Sequence, residues 1–474
     1  MNRPILRIFV VIVLLFAVLL IWTTRWTVLE AQKLNNNPLN VRTLLDELKI
    51  KRGRIVADDG TVLAKSVPAP GGIWHRYYPT GPLFAQAVGY SNAAEGQSAG
   101  LERSRAPELR GLQTGLSSVF GQFGGSPRVG DDVYTSLDPR AQRAAVSQLA
   151  GRAGSVVALN PRTGAIKVMY SNPTYNDNQP HTSAPGTSSF NRATQAGYPP
   201  GSTFKVVTDT AALGSGRFTP SSVVNGNSPK IIDGVPLSND NNQSWGDIDL
   251  TTALTYSVNT VWAQVAEAVG RVTMTDYMRR FGFYSRPPLD YPADEISVSR
   301  PFAPNGRPYA PASPDEDLGR IGIGQGGLEV TPLQMALVAA TIANRGTLMT
   351  PHFASRVVDP TGVTVETIKP SVWRQVTSPR VASEVGQMMR RVVEEGTGTP
   401  AQLGGISVAG KTGTASIGPT GVGLTEPWFI GFAPADNPKV AVAVTIERTQ
   451  GGYGGTVAAP IARTVIQTLL AEGQ

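Results

Sequence analysis

The segment that most constrains this chain is residues 198–213, which read YPPGSTFKVVTDTAAL. Its two prolines and one glycine stop a helix from running in from before, so the pattern predicts a helix that begins near Ser202. Ser202 and Lys205 would then point to the same face of that helix. A serine becomes a nucleophile only when a base takes its proton, and a lysine can be that base only if burial or nearby positive charge lowers its pKa. The segment therefore indicates a candidate nucleophile and base one helical turn apart, with free backbone N–H groups nearby for an oxyanion. Taken alone, the same pattern fits a serine helix cap followed by an exposed lysine, so further motifs have to decide.

Composition excludes several other classes of site. The 474 residues are enough for two or three domains, and they contain no cysteine, which rules out disulfides, thiolate metal sites and a cysteine nucleophile. The three histidines lie in no motif. The formal net charge of +7 is modest, and the basic residues form no run with interleaved aromatics, so nucleic acid is not an expected partner.

The N-terminus carries an unbroken apolar run at residues 8–22, with Arg3 and Arg7 at its start. With its flanks, this run roughly reaches the length of about 20 residues that a membrane-spanning helix needs. A cleaved signal peptide is the alternative, but the sequence that follows shows no convincing small-x-small cleavage site. We therefore expect an uncleaved single-pass anchor in the cell membrane. The arginines predict a cytoplasmic N-terminus and an extracytoplasmic main domain.

The rest of the chain predicts a smaller module and then a larger domain. The three regions are a cytoplasmic tail with its anchor, an N-terminal non-catalytic module and a main domain: 1–30, 31–150 and 151–474. In the module, a polar stretch at 32–39 connects to the anchor, and residues 55–64 alternate around Asp59-Gly60 as in a hairpin. Residues 68–130 are rich in Gly, Pro and Ser and are expected to be irregular, whereas 132–149 predict a strand followed by a helix.

The main domain shows a strand pair, then helices, then three strands and a last helix. The predicted elements are a hairpin at 154–171, helices at 251–270 (with a polar break at 257–259), 275–281, 331–346 and 378–395, strands at 407–416, 428–434 and 439–448, and a helix at 457–472. That order predicts an α+β domain in which helices surround one antiparallel sheet.

Two further motifs follow the Ser-x-x-Lys segment. The first is Ser257-x-Asn259, whose hydroxyl and amide are suited to relaying a proton and holding a substrate amide. The second is Lys411-Thr412-Gly413-Thr414, on the first of the late strands. Gly413 would let a substrate backbone lie against that strand, and the neighbouring ammonium and hydroxyl groups are suited to a carboxylate.

Ser-x-x-Lys, Ser-x-Asn and Lys-Thr-Gly, in this order, match the motif set of penicillin-binding proteins and serine β-lactamases. The chain resembles a class B penicillin-binding protein, closest to the short penicillin-binding protein A type of actinobacteria. The resemblance covers nearly the whole chain and includes RGRIVADDGTVLA, GLERSRAPELRG, TSLDPRAQ, GSVVALNPRTGAI and GQGGLEVTPLQMA. It implies a transpeptidase domain with a penicillin-binding, serine β-lactamase-like fold, preceded by the module and the anchor.

The resemblance also implies a reaction. Ser202 would attack the bond between two terminal D-alanines of a peptidoglycan stem peptide, with Lys205 as the general base and the backbone N–H groups of Ser202 and Thr414 as the oxyanion hole. An amine of a neighbouring stem would take the acyl group and form a cross-link, in cell-wall synthesis at division or elongation. A β-lactam such as penicillin would acylate the same serine.

The remaining motif residues take roles in the same scheme. Ser257 would pass a proton to the leaving nitrogen, and Asn259 would hold the substrate amide. Lys411 and Thr412, with Gly413 and Thr414 beside them, would bind the terminal carboxylate. The resemblance also implies that no metal ion or organic cofactor is needed. The short N-terminal module leaves no room for a glycosyltransferase domain, so we expect glycan polymerisation by a separate membrane glycosyltransferase partner.

Three alternatives remain open. A β-lactamase would need a base that activates water, and no glutamate between the second and third motifs has an asparagine four residues later, as one β-lactamase class does. A D,D-carboxypeptidase differs only in whether water or an amine takes the acyl group, which the sequence does not decide. A penicillin-binding scaffold or sensor without activity is the third.

Overall fold

A computed structural model describes residues 3–30, 41–112, 128–182, 184–417 and 423–471. The polar connection predicted at 32–39 and part of the segment at 68–130 lie outside these residues. The helices, in chain order, are α1 (Arg3–Thr24), α2 (Val41–Leu48), α3 (Ala85–Val88), α4 (Gly100–Ser104), α5 (Ala106–Leu109), α6 (Pro139–Leu149), α7 (Lys205–Gly214), α8 (Leu250–Thr255), α9 (Asn259–Val269), α10 (Arg271–Arg280), α11 (Leu318–Gly322), α12 (Pro332–Ala343), α13 (Pro379–Glu394) and α14 (Ala459–Ala471).

The strands in the same description are mostly short. They are β1 (Ile55–Val56), β2 (Val62–Ala69), β3 (Ile73–Tyr77), β4 (Ser91–Asn92), β5 (Gln97–Ser98), β6 (Asp132–Thr135), β7 (Gly154–Leu159), β8 (Ile166–Asn172), β9 (Val223–Asn225), β10 (Lys230–Ile232), β11 (Val235–Leu237), β12 (Asp247–Asp249), β13 (Arg300–Pro301), β14 (Leu328–Glu329), β15 (Thr347–Met349), β16 (Ala354–Val358), β17 (Thr364–Thr367), β18 (Val372–Gln375), β19 (Ala409–Ile417), β20 (Leu424–Ala433), β21 (Val440–Ile446) and β22 (Thr449–Gln450).

The main sheet is antiparallel and has helices on both faces. Its strand order is β19-β20-β21-β7-β8, with β22 added beside β20. Strand β21 is buried on both faces of the sheet. Val442 and Val444 point into the layer formed with α6 and α14. Ala441 and Ala443 alternate with them and point into the core on the side of α12. The small alanines let the fully buried helix α12 pack closely. The predicted α+β architecture is confirmed.

A second six-stranded sheet organises the N-terminal module. Its order is β17-β16-β6-β1-β2-β3, so two of its strands, β16 and β17, come from residues far along the chain. Helix α6, which the sequence assigns to the module at 31–150, packs on β8 and α14 of the main domain. Residues just before the predicted boundary at residue 150 thus pack against the main domain. The boundary itself stays a prediction.

Two sequence-based expectations are wrong. The segment from residue 68 is not irregular at its start, because β2 continues to Ala69 and pairs with β3. Pro68 is tolerated there because β1 pairs with β2 only as far as Ala64, so Pro68 lacks a neighbour on that side. The helix predicted to begin at Thr275 begins at Arg271, directly after Gly270, whose φ of 86° ends α9 and allows a new helix to start at once.

The N-terminal helix is a candidate membrane span. Within the stretch Arg3–Leu29, the most apolar 18-residue window has a mean hydropathy of 3.1, and no residue of that window is buried against the rest of the protein. An apolar helix without a protein partner needs a non-aqueous environment, which agrees with the predicted anchor.

Candidate active site

The segment around Ser202 folds as a tight turn that leads into a buried helix. Residues Gly201–Phe204 form a 3-10 turn, and the α-helix α7 continues from Lys205. Gly201 has a φ of 52° and its N–H donates to the Gly324 carbonyl at 3.0 Å, so the left-handed glycine turns the chain just before the serine. Ser202 is partly exposed on this turn, as a nucleophile has to be.

Lys205 is completely buried and contacts the second motif. Its ammonium donates to the Ser257 carbonyl at 2.7 Å, to the Ser257 Oγ at 3.2 Å and to the Asn259 Oδ1 at 2.7 Å. Burial is the main cause that lowers the pKa of Lys205 well below its usual value, and the charge of Lys411 lowers it further. The structure therefore supplies both conditions that a lysine base needs.

The Ser-x-Asn motif lies at a break between two helices. Helix α8 ends at Thr255 and α9 begins at Asn259, so the predicted polar break is confirmed. Ser257 has a φ of 62°, a left-handed backbone conformation that is strained for a residue with a side chain. Tyr256, just before it, stacks on Trp245 with 4.9 Å between ring centroids and 25° between planes. The Tyr256–Trp245 stack just before Ser257 and the hydrogen bond from Lys205 to the Ser257 carbonyl both stabilise this strained conformation.

Lys411 joins the first and third motifs through the same serine. Its side chain is fully buried, and its Nζ donates to the Ser257 Oγ at 2.9 Å and to the Thr412 carbonyl at 2.9 Å. Burial lowers the pKa of Lys411 to about 7. Two ammonium groups thus meet at one hydroxyl, which is a chemically unusual arrangement for a purely structural site.

Strand β19 lies directly against the serine turn. A Cβ added to Gly201 would be 3.1 Å from the Thr414 carbonyl carbon, and one added to Gly413 would be 2.7 Å from the Pro200 carbonyl oxygen. Only glycine allows this approach at Gly413. The three motifs, separated by up to about two hundred residues in the chain, therefore meet at one place.

Comparison with known proteins agrees with this geometry. The family model described as penicillin binding protein transpeptidase domain matches residues 154–467, and that described as penicillin binding protein A dimerisation domain matches residues 52–133. The chain belongs to the penicillin-binding protein transpeptidase family. Because the transpeptidase match covers most of the chain and the second match is specific to the A type, the resemblance to class B penicillin-binding proteins is confirmed.

Relatives of this penicillin-binding protein are similar over their full length. It is 35% identical to the peptidoglycan D,D-transpeptidase PbpA of Mycolicibacterium smegmatis, with 100% of both chains covered. It is 34% identical to PbpA of Mycobacterium tuberculosis, with 99% of both covered. The solved structure of penicillin-binding protein A from M. tuberculosis as a ceftriaxone acyl-enzyme matches with a TM-score of 0.80 and 32% identity, covering 90% of this chain and 100% of that one. Its penicillin G acyl-enzyme matches with a TM-score of 0.77 at the same identity, covering 89% and 99%.

The structure of this penicillin-binding protein also adds residues that the sequence did not indicate. Thr397 hydrogen-bonds to Thr412, and the Gly454 N–H donates to the Thr414 hydroxyl. Trp245 supports the residue before Ser257. None of the three lies in a motif or a periodic pattern, so only their contacts across the fold identify them.

Proposed function

We propose that this chain is a peptidoglycan D,D-transpeptidase that works through a serine acyl-enzyme and is acylated by β-lactams. The observation that carries the proposal is the buried network in which Lys205 and Lys411 both contact Ser257, beside the turn that presents Ser202. The names of the mycobacterial relatives and the β-lactam acyl-enzymes of a similar structure support the same chemistry.

In the proposed acylation, Lys205 takes the proton of the Ser202 hydroxyl as the oxygen attacks the carbonyl of the penultimate D-alanine. The backbone N–H groups of Ser202 and Thr414 stabilise the oxyanion. The amide bond then breaks, and the proton passes from Lys205 through the Ser257 hydroxyl to the leaving D-alanine nitrogen. The 3.2 Å contact between the Lys205 Nζ and the Ser257 Oγ is short enough for that relay.

The second half of the proposed reaction consumes the ester. An amine of a neighbouring stem peptide attacks the acyl carbonyl and gives its extra proton to Lys205. The ester bond then breaks, and Lys205 passes that proton to the Ser202 oxygen, so the cross-link is formed and both residues are regenerated. Attack by water instead would give carboxypeptidase activity from the same groups.

Substrate binding is proposed along β19. Asn259 holds the substrate amide, and Gly413 lets the substrate backbone approach the strand. The Thr412 and Thr414 hydroxyls donate to the terminal carboxylate, and Lys411, buried behind Ser257, supplies positive charge without reaching the surface.

We propose a single-pass anchor with its N-terminus in the cytoplasm, because Arg3 and Arg7 flank the start of α1. The module at 31–150 and the domain at 151–474 would then lie outside the membrane. We also propose that a separate membrane glycosyltransferase polymerises the glycan, because the two family matches describe a transpeptidase and a dimerisation domain and neither describes a glycosyltransferase.

The proposal is tested by mass spectrometry of the intact protein mixed with penicillin. We expect one covalent adduct, on the tryptic peptide that contains Ser202, and none in Ser202→Ala. Ser189→Ala, at an exposed serine in the preceding loop, is the control and should be acylated normally. An adduct that persists in Ser202→Ala would contradict the assignment. Separating cross-linked from hydrolysed products of a pentapeptide substrate then distinguishes transpeptidase from carboxypeptidase.

A further inference from the structure

Two threonines on β19, Thr412 and Thr414, each have a hydroxyl that hydrogen-bonds to a residue outside the three motifs. The Thr412 Oγ1 lies 2.6 Å from the Thr397 Oγ1, and the Thr414 Oγ1 lies 3.1 Å from the Gly454 backbone nitrogen. Residues two apart on a strand point to the same face, so both hydroxyls have their partners on that face.

The Gly454 contact has only one possible polarity. A backbone N–H can only donate, so the Thr414 oxygen accepts and its own proton is free to point elsewhere. Gly454 is held by close packing, since a Cβ there would be 2.2 Å from the Trp428 carbonyl oxygen and 2.3 Å from the Gly413 carbonyl oxygen. Its N–H is therefore a built donor beside Thr414.

Between Thr397 and Thr412, either hydroxyl can be the donor. If Thr412 donated to Thr397, it would present only lone pairs to an incoming carboxylate, which is electrostatically unfavourable. If Thr397 donates, the proton of Thr412 is free, and Thr412 and Thr414 both face the carboxylate as donors.

We propose that Thr397 is a positioning residue that donates to Thr412 and so sets the polarity of the carboxylate clamp formed by Thr412 and Thr414. This inference rests on the proposed function, because it assumes a substrate whose terminal carboxylate binds at β19. Thr397 acts through Thr412 and does not itself touch the substrate.

The backbone, and not the side chain, holds Thr397 in place. Its N–H donates to the Thr255 carbonyl at 3.3 Å, at the end of α8. A Cβ added to Gly396 would be 2.3 Å from that same carbonyl oxygen, and one added to Gly455 would be 2.5 Å from the Thr397 carbonyl oxygen. The side chain itself is exposed, so removing the hydroxyl is not expected to unfold the segment.

The test measures the second-order rate constant for acylation by penicillin G in the full chain. Thr397→Val, which keeps the shape of the side chain, should lower it about tenfold through weaker binding, the scale of one hydrogen bond to a charged group. Thr397→Ser should restore the wild-type value, and Thr397→Ala should behave like Thr397→Val. Thr399→Val, at an exposed threonine in the same segment, is the matched control and should leave the rate unchanged.

A double-mutant cycle decides whether Thr397 works through Thr412. In a Thr412→Val background, Thr397→Val should cost nothing further, and the methyl ester of penicillin G should react equally with wild type and Thr397→Val. Additive losses in the cycle, or a wild-type rate in Thr397→Val, overturn the inference. If wild-type protein forms no adduct at Ser202, the proposed function fails instead, so the two failures are distinguishable.

Discussion

At the scale of single residues, the proposed chemistry depends on two buried lysines that share one serine. Lys205, the proposed base, is desolvated, and Lys411 lies on the other side of Ser257. A lysine with its ordinary pKa would be protonated at neutral pH and could not accept a proton from Ser202. We therefore propose that Lys411 assists acylation by lowering the pKa of Lys205.

The pH dependence of acylation should report this coupling. Only neutral Lys205 is a base, so the rate rises with pH through its pKa, and the rise should be complete well below the ordinary lysine range near pH 10.4. Lys411→Met removes a positive charge that lowers the pKa of Lys205, so the rising limb should move to higher pH. Stopped-flow acylation by a chromogenic β-lactam measures both profiles.

Two variants serve as controls for this prediction. Lys205→Ala should lose the rising limb and at least about a hundredfold in rate, the scale of a lost general base. Lys439→Ala, at an exposed lysine, should keep the wild-type profile. A rising limb at the same pH in Lys411→Met and wild type would show that the two lysines are not coupled.

At the scale of elements, the active site depends on the break between α8 and α9. Ser257 is placed in a left-handed conformation that costs of order 1–3 kcal/mol, and its surroundings have to hold it there. The Tyr256–Trp245 stack is one such support, and an aromatic pair of this kind contributes about 0.5–1.5 kcal/mol. The strain is thus partly offset by a contact from the loop before β12.

Removing the stack should loosen Ser257. Trp245→Ala is expected to lower the acylation rate about tenfold, because Ser257 would less often face both lysines, and Trp245→Phe should retain most of the rate by keeping an aromatic partner. The measurement is the acylation rate constant together with the melting temperature of each variant. Wild-type acylation in folded Trp245→Ala would mean that the stack does not support the motif.

At the scale of the whole molecule, the N-terminal module is tied to the transpeptidase domain by a buried carboxylate. Asp290 accepts from the Arg105 guanidinium at 2.9 Å and from the backbone N–H groups of Phe353 and Ala354 at 2.7 and 3.0 Å. It therefore joins the start of α5 in the module, a loop of the main domain and the start of β16, which belongs to the module sheet.

Asp290→Ala should destabilise the protein without changing its chemistry. The loss should be about 3 kcal/mol, because two backbone N–H groups lose their acceptor and Arg105 loses its shortest ion pair, keeping only Glu108 at 3.3 Å and Glu366 at 3.9 Å. Urea unfolding followed by tryptophan fluorescence measures the loss, and acylation by penicillin under folding conditions should stay near wild type. Asp294→Ala, which breaks the exposed pair with Arg103, is the control and should change stability much less. Equal losses for both would argue against the role of Asp290.

The sequence predicted much of the fold because many of its signals are local. Proline and glycine before Ser202, the caps at Asp138, Thr331 and Ser378, and the alternation in β21 act within a few residues of one another. The β2–β3 hairpin was missed because a proline argues against a strand. Pro68 fits in β2 only because β1 pairs with β2 no further than Ala64, and the sequence does not show where that pairing ends. The partner strands β16 and β17 were missed because their place in the module sheet depends on residues more than two hundred positions away.

By itself, the sequence determined the candidate membrane span, most of the element types and the three motifs, because steric and capping rules operate within a few residues. Only the tertiary structure decided that Lys411 reaches Ser257 from 154 positions away, that Thr397 lies on Thr412, and that Asp290 joins the two parts of the chain. These contacts depend on how buried surfaces pack, and packing is a property of all the elements together.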